Sequence, residues 1–139
     1  MADCYVTALR ILGYRFNSEA ELRRKLLAKR FDRDTIAETL ARLRDEKWLD
    51  DERFAAAYVR TLVQKGIGRL RIRRELTAVG VDDDVAERAV RENAAEGEDE
   101  RLRAAYEKLA RRLGGDRDKI AARLLRQGFE MSAILGYLR

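Results

Sequence analysis

Histidine and proline are absent from this chain of 139 residues, and cysteine and tryptophan occur once each. Without histidine there is no imidazole general base, no histidine-containing triad and no histidine-liganded zinc. The single Cys4 can neither close an intrachain disulfide nor form a thiolate cluster, which predicts a reduced, cytoplasmic setting. No apolar run approaches the ~20 residues that span a bilayer, and the Met1 end lacks a signal-peptide pattern. Aromatic residues are only 7% of the chain, so several small cores are easier to fill than one large one.

What is present is charge and helix formers. Charged residues are 40% of the chain, with 30 Lys and Arg against 25 Asp and Glu and a formal net charge of +5. Apolar residues recur throughout, which argues for a thin, surface-rich fold rather than disorder. No β-branched run alternates with period two, so the fold expected is all-α.

The apolar pattern repeats. ELRRKLLAKRFDRDTIAETL from Glu21, RIRRELTAVGVDDDVAERAV from Arg71 and KIAARLLRQGFEMSAILGYL from Lys119 align. Leu22, Ile72 and Ile120 share a column, as do Leu26, Leu76 and Leu124, and Phe31, Val81 and Phe129. Ile36, Val85 and Ile134 form a fourth column if the second copy carries one deletion. A further helix precedes each segment, at roughly 3–13, 51–64 and 99–113. The expectation is three tandem three-helix units, 1–48, 49–97 and 98–139, stacked into an elongated, curved rod that is monomeric when free.

Helix ends carry their signals. Ser18 to Glu21 forms a capping box. Asp50 is the expected N-cap of the fourth helix, with Asp82 to Asp84 and Asp116 in similar parts. Gly80 and Gly128 sit where a helix ends in a left-handed conformation, and Arg30 takes that place in the first unit at a cost of about 1 kcal/mol. The acidic stretch 92–100 around Gly97 is either a hinge or a helix end followed by a helix start. Trp48-Leu49 is expected to plug the core between the first two units, and Gly66-Ile67-Gly68 to turn between helices.

Carboxylates are the only groups left for catalysis, and they do not converge. Asp50, Asp51 and Glu52 are consecutive, so they point to different sides of a helix. No Gly-rich loop suits a phosphate, and no cofactor is expected. The anomaly is segregation of charge. From Arg53 to Arg74 there are seven basic residues and no acid. At about 100° per residue, Arg71 and Arg74 turn away from the stripe of Ile72 and Leu76, with Arg69 and Arg73 on its flank. Lys65 lies just upstream, and Arg23, Arg24 and Lys25 repeat the theme in the first unit. These eight residues are the candidate surface for phosphates or for an acidic protein face.

Read in order, Ser18-Glu19, Trp48-Leu49-Asp50-Asp51-Glu52-Arg53-Phe54-Ala55, Tyr58-Val59, Lys65-Gly66-Ile67-Gly68, Arg71-Ile72, Glu75-Leu76, Gly80-Val81 and Gly128-Phe129 resemble the RecX family of regulators of the RecA recombinase. The resemblance spans about 5–138 and is strongest over the first two units. It implies tandem three-helix units and a protein without enzymatic activity, in recombination, DNA repair and the SOS response. It further implies binding in the groove of the RecA–DNA filament, with restraint of ATP hydrolysis, strand exchange and filament growth. Some members also contact single- or double-stranded DNA directly. The alternative is a stand-alone helical DNA-binding module.

Overall fold

The computed structural model describes residues 3–138. The Met1 end and the first two and last residues of the outer expected units lie outside that range. Among the described residues there are nine helices and no strand. They are α1 (Cys4–Tyr14), α2 (Glu19–Ala28), α3 (Arg33–Asp45), α4 (Asp51–Gln64), α5 (Arg69–Ala78), α6 (Asp83–Ala94), α7 (Glu98–Leu113), α8 (Arg117–Arg126) and α9 (Met131–Leu138). Helices of 8–16 residues are too short to persist alone in water, so each depends on packing its apolar stripe. The packing is local: the substantial helix–helix contacts join α1, α2 and α3, then α4, α5 and α6, then α7, α8 and α9.

Each trio closes on its own core. Leu22, Leu26, Ile36, Leu40 and Leu43 fill the first, with Cys4 buried beside them. Ile72, Leu76, Val59 and Ala86 fill the second. Leu124, Phe129 and Ile134 anchor the third. The fourth column of the repeat needs correction. Ala86 is fully buried, whereas Val85 is only half-buried. Ile36, Ala86 and Ile134 each lie 14 residues after the first-column residue, so no deletion is required. The second unit simply uses a smaller side chain there.

Capping follows composition closely. Ser18 and Glu21 complete the capping box, and Asp50 accepts from the Glu52 and Arg53 amides at the start of α4. Asp116 accepts from the Lys119 amide. Asp3 and Asp32 cap α1 and α3 in the same way. Asp82 occupies the cap position of α6 without a side-chain bond, so its contribution is charge near the positive helix end. Gly97 separates α6 from α7 in a left-handed conformation. Arg101 reaches back across this turn to the carbonyls of Ala94, Glu96 and Ile67, so the acidic segment is tied down on both sides. Trp48 departs from expectation. It is 54% exposed, and Leu49, at 3%, is the residue that enters the first core. The turn before it bends through Lys47 at φ 69°, which carries the Trp48 ring outward.

The helix-ending corners of α2, α5 and α8 share one hydrogen-bond pattern. In each, the left-handed residue and the apolar residue after it donate back to the last turn: Arg30 and Phe31, Gly80 and Val81, Gly128 and Phe129. Arg30 has φ 71° and is exposed. Replacing Arg30→Gly is therefore expected to relieve about 1 kcal/mol of left-handed strain without removing a packed contact. The check is a higher urea midpoint at an unchanged denaturant slope.

Candidate partner interface

The trios are joined by the same contact used twice. At the first joint the start of α2 meets the end of α5: the Ser18 hydroxyl donates to the Val79 carbonyl. The Glu19 amide donates to Asp51 Oδ1 at 2.9 Å. At the second joint the start of α5 meets the end of α8. The Gly68 amide donates to the Gln127 carbonyl at 2.8 Å and that of Leu70 to Gly128 at 3.1 Å. The Arg69 amide donates to Glu98 Oε1 at 2.9 Å. Ser18 corresponds to Gly68, Val79 to Gln127 and Glu19 to Arg69 in the repeat. In both joints an acid from the next unit's first helix caps the middle helix of the unit before it. Burial pushes the Asp51 carboxyl above its ordinary range, against the pull of the Glu19 amide, and the neighbouring Glu19, Asp82 and Asp50 carboxylates add to the rise.

Close backbone approach explains the glycines. A Cβ on Gly80 would stand 2.3 Å from the Ala20 Cβ, and one on Gly128 would stand 2.5 Å from the Arg71 Cβ. Both are impossible contacts, so these corners must be glycine for packing as well as for φ. Arg30, at the equivalent corner of the first unit, is exposed, so a side chain is accommodated there.

The eight candidate cations separate into two groups. Arg69 is a clamp between units, pairing with Glu98 at 3.0 Å and with Glu130. Arg71 pairs with Glu75 at 2.9 Å, and its Cβ adjoins Gly128. Arg73 donates to the Asp83 carbonyl at 3.3 Å. Arg23 lies 3.6 Å from Glu19, and half-buried Lys25 donates to Asn17 at 2.6 Å. Lys65, Arg74 and Arg24 are exposed, with no carboxylate within 4 Å among the described residues. Arg71, expected to turn away from the apolar stripe, is half-buried and pairs with Glu75 on its own helix, whereas Arg74 is exposed. The acid-free run is acid-free only along the chain: Glu75, Asp83, Glu98 and Glu130 reach it in space from outside it.

Beside the joints lie two clefts that sequence reasoning did not anticipate. One, of about 500 Å³, is lined by Arg15, Phe16, Phe54, Tyr58 and Lys65, with Glu75 in its wall. The other, of about 570 Å³, is lined by Lys65, Arg101, Lys108 and Arg112. The exposed Phe16 at the first cleft and Trp48 in the recess beside it, 66% and 54% accessible, were the available signal. Both lie in short connections, where a large exposed ring is unusual. Among the described residues, no group of Cys, Asp and Glu is placed to hold a metal, and no helix is long and apolar enough to cross a membrane.

Comparison with known proteins agrees with this architecture. Residues 4–43 match the family model described as RecX, first three-helix domain, and 50–90 match RecX, second three-helix domain. A regulatory protein RecX from Xanthomonas axonopodis pv. citri is 39% identical over 134 residues, covering 91% of this chain and 80% of the relative. One from Serratia proteamaculans is 31% identical, with 100% and 98% covered. The crystal structure of RecX from Lactobacillus salivarius superposes with a TM-score of 0.85 at 30% identity, over 97% of this chain and 94% of that one. Two adjacent three-helix matches in the same order, with relatives aligned through all three trios, place this chain in the RecX family.

Proposed function

We propose that this protein regulates the RecA recombinase by lying along the groove of the RecA–DNA filament, chiefly inhibiting ATP hydrolysis, strand exchange and filament growth. It acts by binding, as a cytoplasmic protein that is monomeric when free, and not as an enzyme. The observation that carries this reading is the duplicated joint. Units tied by equivalent bonds form a linear array, and an array can touch successive protomers of a filament with one modest contact per unit. Contacts across protomers resist the motions of an ATPase cycle because they favour one filament state over another. The units expected at 1–48, 49–97 and 98–139 are the elements that would each meet the filament.

Of the eight candidate cations, Lys65, Arg74 and Arg24 are the ones exposed without a carboxylate partner among the described residues, since Arg69, Arg71 and Arg73 are already held by carboxylates. Reversing the charge of these three is expected to leave thermal melting nearly unchanged, as exposed substitutions usually do. It is expected to raise the concentration for half-inhibition of DNA-dependent RecA ATP hydrolysis by about three- to tenfold. Unaltered inhibition would remove these cations from the interface. Titration onto RecA–single-stranded DNA filaments and onto bare DNA at two salt concentrations separates filament binding from stand-alone DNA binding. The latter requires comparable affinity for bare DNA and a steep salt slope.

A further inference from the structure

The two clefts occupy equivalent places in successive units. In each, the connection after a unit's first helix faces the first helix of the next unit. Lys65 lines both, so they adjoin at that residue, and an extended ligand crossing it would occupy the two as one track. Their linings differ in emphasis: the first also holds Arg15, which pairs with Glu21, and Glu75, which pairs with Arg71. The first cleft is apolar and aromatic, with Phe16 and Phe54 on its walls and Trp48 in the adjoining recess. The second is cationic: Lys65, Lys108 and Arg112 are exposed there, with Glu100 as its carboxylate. Arg101 and Arg71 line it too, but their guanidiniums are engaged by backbone carbonyls and by Glu75.

We propose that this track docks an extended acidic protein segment with one large apolar side chain. The apolar residue enters the cleft between Phe16 and Phe54, and the carboxylates that follow it meet Lys65, Lys108 and Arg112. Charge decides the occupant. A nucleic-acid strand carries phosphate at every step, and at the aromatic end it would find Arg15 already paired with Glu21 and the Glu75 carboxylate, which Tyr58 and Arg71 hold, in the wall. A peptide can place an uncharged side chain there and carboxylates only at the cationic end. Exposed large rings beside a cleft mark a protein-binding site in the same way.

The inference stands apart from the filament reading, and its test separates them. A short fluorescent peptide with one tryptophan followed by a run of glutamates is titrated by anisotropy against the full chain. Binding is expected, weakened about tenfold by Lys108→Glu with Arg112→Glu and about tenfold by Phe16→Ser. Arg103→Glu with Arg111→Glu, exposed cations outside the clefts, is expected to change it less than twofold. Far-ultraviolet dichroism confirms that each variant is folded. Failure of the peptide to bind, equal binding of a peptide lacking the tryptophan, or stronger binding of oligothymidylate at the same residues overturns the proposal. RecA inhibition by the same variants is read in parallel. Inhibition by the unmodified chain together with its failure to bind the peptide would sink the track and leave the filament reading intact.

Discussion

Replacing Gly128→Ala is expected to open the joint between the second and third units and to lower the stability of the third more than any surface change. Two costs add. The corner has φ 101°, which for an alanine costs on the order of 1–2 kcal/mol. The new methyl would also stand 2.5 Å from the Arg71 Cβ, 2.6 Å from its amide nitrogen and 2.7 Å from the Gly68 carbonyl oxygen. Two of these three atoms are backbone, so they cannot swing away, and relief requires the helices to part at about 1–3 kcal/mol. Two other glycines divide the sum. Gly66 has φ 81° with open space around it, so Gly66→Ala reports the backbone cost alone. Gly115 has neither a positive φ nor a neighbour within 4 Å, so Gly115→Ala is expected to be silent. Urea unfolding gives the energies. A distance between spin labels on α5 and α8 reports whether the joint opens, and an unchanged distance in Gly128→Ala would refute the packing argument.

The second large effect is expected from Phe129→Ala. Phe129 is 1% exposed and packs in a core of only six buried side chains, against eleven in the second unit. Truncating a buried phenylalanine costs about 3–5 kcal/mol. A unit of this size has little more than that to lose, since small cores bury a small fraction of their chain. Its amide also closes the end of α8 by donating to Leu124. The expected outcome is therefore loss of α7 to α9 as a block, while α1 to α3 stay folded, because contacts run mainly inside each trio. Amide hydrogen exchange resolves it by unit. Uniform loss of protection along the whole chain would instead mean that the three cores unfold together.

Much of the fold was legible along the chain. The apolar columns at Leu22, Ile72 and Ile120 and at Leu26, Leu76 and Leu124 are all buried, because a helix converts a fixed spacing into a fixed face whatever packs on it. The Ser18 box and the Asp50 and Asp116 caps were legible because capping is settled within four residues. The two errors in the fold lay where local backbone geometry or helix register overrode side-chain size. Trp48 reads as core by composition, yet the left-handed Lys47 turns it outward. Val85 seemed the natural partner of Ile36, yet Ala86 is the residue that faces inward.

The candidate interface was less legible than the fold. Arg69 and Arg73 belong to an acid-free basic run, and nothing along the chain distinguishes them from Lys65 or Arg74. Their acids come from α6, α7 and the turn before α9, and only folding brings those within reach, whereas Arg71 pairs with Glu75 one turn on in its own helix. The clefts were illegible for a related reason, since each has one wall from one unit and one from the next.

The sequence by itself determined an all-helical chain of repeated three-helix units with no histidine chemistry, because period, capping and composition are local properties. Tertiary structure decided how the units are joined, why the corner is glycine at 80 and 128 but arginine at 30, and which cations remain available to a partner. Those outcomes depend on atoms about 30 to 60 residues apart in sequence meeting within about 3 Å, and no local pattern encodes such a meeting.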